Sequence, residues 1–343
     1  MIRIHEKQLS ISEYEKLIKS KFGLEKIQIN VTDKCNSRCV FCFQDYTFLK
    51  SQMLSFSEIK NILVDCKILG AKNVSYMGGE IFTRNDMIDI LKLTRELGYS
   101  CSIITNAQLL NDDIINQISE LNISTVTVSL HTLNPTNYTD IYNVKMHPAT
   151  VINNISNMLS KGINVGIAVT VINQNIIELP VILREMLNLG ISKKDIVFNL
   201  LYPCKNYSEL KVPIEKFKII LREHPEVMSR FSNAPGTIEK RSIICQAGKN
   251  LLLVDYNGDV KICGLLDEKI GNIRTDYIPD IWEKSNTLKS YACIRESDFP
   301  ACSGCEENGK CSMCMARNKI LNDSIYKLDE DFCTYVRLVN SLK

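Results

Sequence analysis

The sequence predicts an α/β protein: a partial (β/α)6 TIM-like barrel with a small C-terminal cysteine-rich domain. Three observations carry that expectation. Strand-like and helix-like segments alternate six times between residues 26 and 202. Near Pro203 the alternation stops, and a hairpin signal and a dense run of cysteines take its place. Cysteine is also over-represented, with 14 in 343 residues. Alternation of this kind implies a parallel sheet with right-handed crossovers. Six units fall two short of a closed eight-stranded barrel, so function is expected at the C-terminal strand ends of an open or partial one.

The elements follow in order. Residues 26–32 (KIQINVT) read as the first strand. Ser55 and Glu58 form a capping-box pair that starts a helix over 55–69, and Gly70 stops it. Residues 73–77 form the second strand, 86–97 a helix ending at Gly98, 99–105 the third strand, 112–121 a helix and 124–130 the fourth strand. A helix over 149–160 ends at Gly162, and 164–172 is the fifth strand. A helix over 176–189 ends at Gly190, and 195–201 is the sixth strand. Residues 211–222 read as a connecting helix. Residues 250–255 and 259–263 flank Tyr256-Asn257-Gly258, a hairpin signal. The expected organisation is an N-terminal segment over 1–25, too short for a domain and packed on the barrel, then the barrel over 26–202. A connecting segment over 203–242 and a metal-stapled domain over 243–343 follow.

Composition narrows the function classes. Hydrophobic residues at 45% and charged residues at 23% are ordinary globular values, which excludes a disordered chain. Lys and Arg number 41 against 39 Asp and Glu, and a net charge of +2 gives no long-range field toward nucleic acid or an anionic membrane. No apolar run approaches the roughly 18 residues of a membrane span. The polar start MIRIHEKQLS lacks the apolar core of a secretion signal. The expected location is the cytoplasm, where disulfides rarely persist and so many thiols need another role. Metal ligation is the leading one.

Cys35, Cys39 and Cys42 lie in DKCNSRCVFCFQD, directly after the first strand, with C-x3-C-x2-C spacing. Three thiolates on one short loop suit three irons of a cubane and leave the fourth iron open. Zinc would want a fourth ligand nearby and usually comes with paired C-x2-C units. Here the sequence resembles the radical S-adenosylmethionine (SAM) superfamily, over roughly residues 26–202. The resemblance implies a [4Fe–4S] cluster held by the three cysteines and SAM, with SAM chelating the open iron. It implies reductive cleavage of SAM to a 5′-deoxyadenosyl radical that abstracts hydrogen from substrate. It also implies SAM contacts. Phe41, before the last cysteine, stands where the family places an aromatic against adenine. Gly78-Gly79-Glu80, after the second strand, resembles the family's GGE motif for the SAM amino group, with Ile81 where proline is usual. Thr105 and Asn106 end the third strand, Ser129 ends the fourth, and Asn173 and Leu200 follow at the fifth and sixth; all are expected to face SAM. The family's carboxylate-binding arginine is absent, and Lys145 is the candidate substitute, a point charge without arginine's planar fork. His131 and Cys204, at strand ends, are the candidate catalytic residues.

The C-terminal cysteines read Cys245, Gly258-x4-Cys263, then Cys302-x2-Cys305-x5-Cys311-x2-Cys314, then Cys333. Taken alone, two C-x2-C pairs also suit a zinc ribbon. The pattern resembles the SPASM extension of some radical SAM enzymes, with a final gap of two residues instead of three. That resemblance implies a cysteine-rich iron–sulfur domain with two auxiliary [4Fe–4S] clusters. Cys302, Cys305, Cys311 and Cys333 would hold the distal one. Cys245, Cys263 and Cys314 would hold the proximal one, with Cys204 or Cys293 a spare ligand or the last iron open to substrate. Cys66 and Cys101 read as core residues.

Relatives with this tail mostly act on peptides or proteins, so the resemblance implies a maturase of a ribosomally made peptide that forms a crosslink, a thioether or an epimer. A flavodoxin or ferredoxin would supply electrons, in the cell of an anaerobe. With about 25 residues before the first strand, leader recognition is expected to need a separate protein, if it occurs. The alternatives are an anaerobic sulfatase-maturating, formylglycine-forming enzyme and a small-molecule tailoring oxidoreductase. The first is disfavoured because Gly264, not aspartate, follows Cys263. A non-catalytic metal-binding protein is the reading from a different class, and SAM cleavage separates it from the rest.

Overall fold

The computed structural model describes residues 2–4, 7–9, 23–43, 52–231, 245, 247–292 and 294–341. Cys293 lies outside them. Two short strands, β1 (Ile2–Ile4) and β2 (Lys7–Leu9), form an antiparallel pair of their own. The main sheet is built on six parallel strands in sequence order: β3 (Lys26–Asn30), β4 (Asn73–Met77), β5 (Ser100–Thr105), β6 (Thr125–Ser129), β7 (Val165–Val171) and β8 (Ile196–Leu200). Each pairs with the next, from Lys26 opposite Asn73 to Val171 opposite Leu200. Residue alternation explains the layers. In β6, Val126 and Val128 are buried, while Thr125, Thr127 and Ser129 take the other face.

Helices connect the strands as the spacing predicts. In α1 (Phe56–Ile68), Ser55 Oγ accepts the Glu58 N–H at 3.2 Å and the Glu58 carboxylate accepts the Ser55 N–H at 2.7 Å. Such a cap contributes about 1 kcal/mol. Next come α2 (Met87–Glu96) and α3 (Asp112–Glu120). The sequence reading missed α4 (Pro135–Tyr142), an eight-residue helix capped by Asn134, whose side chain accepts the Thr136 and Asn137 N–H groups. Then follow α5 (Pro148–Ser160), α6 (Leu179–Asn188) and α7 (Ile214–Glu223). Among the described residues, no helix is long and apolar enough to cross a membrane.

The C-terminal hairpin forms where expected but joins an unexpected sheet. Strands β9 (Leu251–Val254) and β10 (Asp259–Lys261) pair antiparallel, and β11 (Lys269–Asn272) follows. Strand β9 also pairs in parallel with β3, Lys26 opposite Leu251, so the sheet has nine strands in the order β11-β10-β9-β3-β4-β5-β6-β7-β8. This pairing covers the outer edge of β3, which would otherwise expose unpaired backbone groups. Leu252, Val254 and Val260 join the main core, while Ile262, Leu288, Phe299 and Met315 belong to a second, smaller one. Two helices close the chain, α8 (Met315–Asn322) and α9 (Glu330–Ser341). Tyr335 of α9 meets Phe217 of α7 edge-on at 5.0 Å, which binds the tail to the barrel side.

Candidate functional site

The cysteine loop after β3 rests on the end of α4. Arg38 N–H donates to Tyr142 O at 2.9 Å and Val40 N–H to Ile141 O at 3.0 Å. Carbonyls in the last turn of a helix lack intrahelical donors, so they are free to take an incoming strand. A polar chain fixes the loop from the other side. Asn36 Nδ2 donates to Gln108 Oε1 at 2.9 Å, and Gln108 Nε2 donates to Tyr138 Oη at 2.9 Å. Tyr138 stacks on Tyr142 at 4.2 Å. Asn106 Nδ2 donates to Asn36 Oδ1 at 2.8 Å and lies 4.0 Å from Cys35 Sγ. Asn36, Gln108, Tyr138 and Tyr142 were absent from the sequence reading, because pairings across 30 to 72 residues leave no local signal.

Gly78 and Gly79 have a reason the sequence reading did not foresee. A Cβ on Gly79 would stand 2.1 Å from Lys34 O, and one on Gly78, with φ at +144°, would stand 2.4 Å from Thr32 O. The turn after β4 thus lies directly against the backbone of the cysteine loop. Gly79 N–H donates to Thr32 O and Glu80 N–H to Lys34 O, both at 2.8 Å.

The three thiols of the loop interact electrostatically. Burial raises the Cys35 thiol's pKa, and the charges of Glu80 and Cys42 raise it further against a Ser37 N–H. Burial raises that of Cys39 more, with Cys42 and Cys35 adding to it. Three thiolates this close are costly without a cation among them, and a bound iron cluster removes that cost. The donor set therefore fits a thiolate-held iron cluster.

The expected SAM-facing residues divide into two groups. Glu80, Thr105 and Asn106 are buried together at the ends of β4 and β5. Glu80 Oε1 accepts from Thr105 Oγ1 at 2.7 Å, and Oε2 accepts the Asn106 N–H at 2.6 Å. Burial raises the Glu80 pKa, while the N–H and hydroxyl donors pull it back. Oε1 also accepts the Phe82 N–H at 3.2 Å, and Oε2 keeps a lone-pair direction for a further donor. Ser129 ends β6 half-buried, and its carbonyl accepts Tyr142 Oη at 2.8 Å. Phe41 is half-buried and meets the His131 ring edge-on at 4.7 Å. Leu200 is half-buried at the end of β8. Elsewhere, Lys145 is exposed between α4 and α5, and Asn173 Oδ1 accepts from Lys216 Nζ of α7 at 2.8 Å. His131 is buried, its Nδ1 accepts the Thr170 N–H at 3.0 Å, and burial lowers its pKa to about 3. A neutral ring with that nitrogen occupied serves as a packing element more readily than as a proton carrier.

Cys204 is half-buried, and Cys42 is among the charges that act on it. Two residues earlier, Tyr202 feels Cys314, Cys263 and Cys245; burial first, then these thiols, push its pKa up to about 12 against Arg317. The short stretch after β8 therefore runs between the first cysteine loop and a second group of thiols.

The C-terminal cysteines fall into two groups. Cys302, Cys305, Cys311 and Cys333 line one cavity with Asp329 and Phe332. Cys245, Cys263 and Cys314 act on one another instead. Burial raises the Cys314 thiol's pKa, and the N–H groups of Arg317 and Ala316 at the start of α8 lower it. A zinc ribbon would gather Cys302, Cys305, Cys311 and Cys314 around one ion. The structure separates Cys314 from the other three.

Comparison with known proteins matches two parts of the chain. Residues 29–186 match the family model of the Radical SAM superfamily, and residues 245–315 match that of SPASM, an iron–sulfur cluster-binding domain. The chain is 22% identical to an AdoMet-dependent heme synthase of Oleidesulfovibrio alaskensis, over 89% of this chain and 86% of that protein. It is 29% identical to a probable GTP 3′,8-cyclase of Methanopyrus kandleri, over 84% of this chain and 95% of that protein. Its fold is similar to Streptococcus suis SuiB bound to S-adenosylmethionine, with a TM-score of 0.71 and 18% identity over 91% of this chain and 77% of that one. It is also similar to anSMEcpe with bound AdoMet, with a TM-score of 0.68 and 14% identity over 93% of this chain and 95% of that one. Residues 29–186 are thus a Radical SAM domain and residues 245–315 a SPASM iron–sulfur cluster-binding domain, which makes the protein a radical SAM iron–sulfur enzyme.

Proposed function

We propose that this enzyme abstracts hydrogen from a peptide held at the barrel mouth, as a maturase of a ribosomally made peptide, with two auxiliary [4Fe–4S] clusters beside it. One observation carries the reading: the stretch after β8 runs from Leu201, whose carbonyl accepts from Nη1 of Arg317 beside Cys314, to Cys204, on which Cys42 of the first cysteine loop acts. Substrate at that mouth would be within reach of both.

SAM on its cluster, when bound and reduced, supplies the 5′-deoxyadenosyl radical. The chain's own residues hold and aim it. Cys35, Cys39 and Cys42 hold the cluster. Glu80, fixed by Thr105 and Asn106, presents its carboxylate to the SAM ammonium. Ser129, Phe41 and Leu200 border the remainder. Cys302, Cys305, Cys311 and Cys333 would hold the distal auxiliary cluster. Cys245, Cys263 and Cys314 would hold the proximal one and leave an iron open. Electrons would come from a flavodoxin or ferredoxin, and leader recognition from a separate protein.

SuiB, solved with its precursor peptide SuiA, and anSMEcpe, solved with a Cp18Cys peptide, support a peptide substrate through fold alone. The sulfatase-type reading is weaker, because Asp267, the aspartate nearest after Cys263, is almost fully exposed and pairs with Lys261 Nζ at 3.2 Å. The heme synthase and GTP cyclase relatives favour a second reading, a small-molecule tailoring oxidoreductase. The test is 5′-deoxyadenosine release by the reconstituted enzyme with SAM and dithionite. Cysteine- or glycine-rich precursor peptides are compared with a sulfatase peptide, GTP and an iron porphyrin. Stimulation of at least about tenfold by a precursor peptide supports the first reading. Stimulation by the nucleotide or porphyrin alone overturns it in favour of the second.

A further inference from the structure

One buried ion pair joins the two groups of C-terminal thiols. Arg317 is 2% exposed and Asp329 6%. Asp329 Oδ2 accepts from Arg317 Nε at 3.0 Å and from Nη2 at 2.8 Å. Nη2 also donates to Tyr207 Oη at 2.9 Å, and Nη1 donates to Leu201 O at the end of the barrel. The guanidinium sits among the rings of Phe332, Tyr202 and Tyr207, at 4.9, 5.6 and 5.8 Å.

The two ends of the pair belong to different thiol groups. Arg317 lies in the first turn of α8, and its own N–H is one of those that reach the Cys314 thiol. Asp329 lines the other cavity. Its Oδ1 accepts the Phe332 N–H at 3.1 Å, and its carbonyl accepts the Cys333 N–H at 3.1 Å, at the start of α9. The charge of Asp329 acts on both Cys314 and Cys333, but at Cys314 the opposite charge of Arg317 outweighs it, so the pair is net positive toward Cys314 and net negative toward Cys333. Lys249 and Glu268 also act on the first group, and Glu307 and Arg337 on the second, but these four are half-buried or exposed and screened by solvent. Buried charges act in a medium of low dielectric, where their effect is larger. A buried ion pair is a weak source of stability, which leaves room for another role.

We propose that the Arg317–Asp329 pair is a fixed dipole that sets the difference in reduction potential between the two auxiliary clusters. It raises the potential at the Cys245–Cys263–Cys314 site and lowers it at the Cys302–Cys305–Cys311–Cys333 site. An electron leaving substrate at the barrel mouth then finds the nearer cluster the better acceptor. This rests on the two-cluster reading above. Arg317 and Asp329 act as positioning residues, through the field they impose and the register they hold.

The test uses the full-length protein with Cys35, Cys39 and Cys42 changed to alanine, so that only auxiliary signals remain. Iron and sulfide are counted, and each cluster is titrated potentiometrically by electron paramagnetic resonance. In the Arg317→Gln, Asp329→Asn double variant, both clusters assemble and the gap between potentials narrows. The expected change is about tenfold in relative reduced population, 59 mV for a one-electron couple. Arg317→Lys keeps the charge and keeps the gap, which a purely structural role would not. If the double variant loses iron, Asp329→Asn alone carries the test, with the larger rise at the four-cysteine site. Two assembled clusters with an unchanged gap overturn this inference and leave the two-cluster reading standing. No auxiliary iron in the parent protein overturns both.

Discussion

The Glu80 carboxylate accepts the main-chain N–H of Asn106 at 2.6 Å, across the C-terminal ends of two neighbouring strands. The same side chain takes the Thr105 hydroxyl, while its own N–H bonds the cysteine loop at Lys34 O. One glutamate thus ties β4 and β5 to the loop that would carry the cluster. Glu80→Gln replaces one acceptor oxygen with a donor and removes the charge. Equilibrium dialysis should show SAM affinity falling at least about tenfold, on the order of 1.4 kcal/mol, with iron content unchanged. Equal SAM affinity in the variant would remove Glu80 from the cofactor site.

Gly79→Ala tests the contact between the GGE turn and the cysteine loop. Its Cβ would meet the Lys34 carbonyl at 2.1 Å, so the loop backbone has to move. Iron should fall by about 4 per chain, and the auxiliary sites should keep theirs. Full iron occupancy with normal SAM cleavage would show that the loop tolerates the shift.

His131 should act through stability rather than proton transfer. Its pKa lies near 3 in the folded protein because burial disfavours the charged ring. The unfolded chain, with histidine near 6.5, binds the proton first. Stability is present above about pH 6.5 and is lost as pH falls toward 3, on the order of 2–3 kcal/mol between pH 7 and pH 4. His131→Asn, with an amide oxygen to accept the Thr170 N–H, should lose less on acidification. Urea melts at the two pH values measure the difference, and parallel losses would contradict the assignment.

Asp65 gives the opposite slope. Burial raises its pKa from 3.8 to about 7. The folded state then holds the proton that the unfolded chain releases, so stability present below pH 4 declines as pH rises toward 7. Asp65→Asn should match the wild type at pH 4 and exceed it at pH 8 by about 1–3 kcal/mol. No difference at pH 8 in denaturant melts would mean that the fold compensates the charge.

Much of the barrel was legible because each unit carried its own signal. Val165 to Val171 alternates and buries as a strand should, and Ser55 with Glu58 caps a helix as the pair implies. Helix α4 was missed although Asn134-Pro135 is a cap followed by a first-turn proline, because its eight residues fall below the usual length for a periodic pattern. The β9–β3 pairing was not legible. Partners 225 residues apart, such as Lys26 and Leu251, are chosen by the open strand edge and not by local sequence. The separation of Cys314 from Cys311 is of the same kind. Spacing alone allowed both a single zinc site and two groups, and the start of α8 at Cys314 favours the second. Arg317 and Asp329 gave no spacing signal, because their importance comes from burial.

On the proposed function, the three cysteine groups hold three separate [4Fe–4S] clusters and the first one cleaves SAM. The direct measurement is iron, sulfide and zinc content after anaerobic reconstitution, together with 5′-deoxyadenosine release on reduction. It is made on the wild type and on a variant with Cys35, Cys39 and Cys42 changed to alanine. About 12 irons and SAM cleavage are expected in the wild type, then about 8 irons and no cleavage in the variant. About 4 irons with bound zinc would contradict the auxiliary clusters, and cleavage that survives in the variant would contradict the assignment of the first loop.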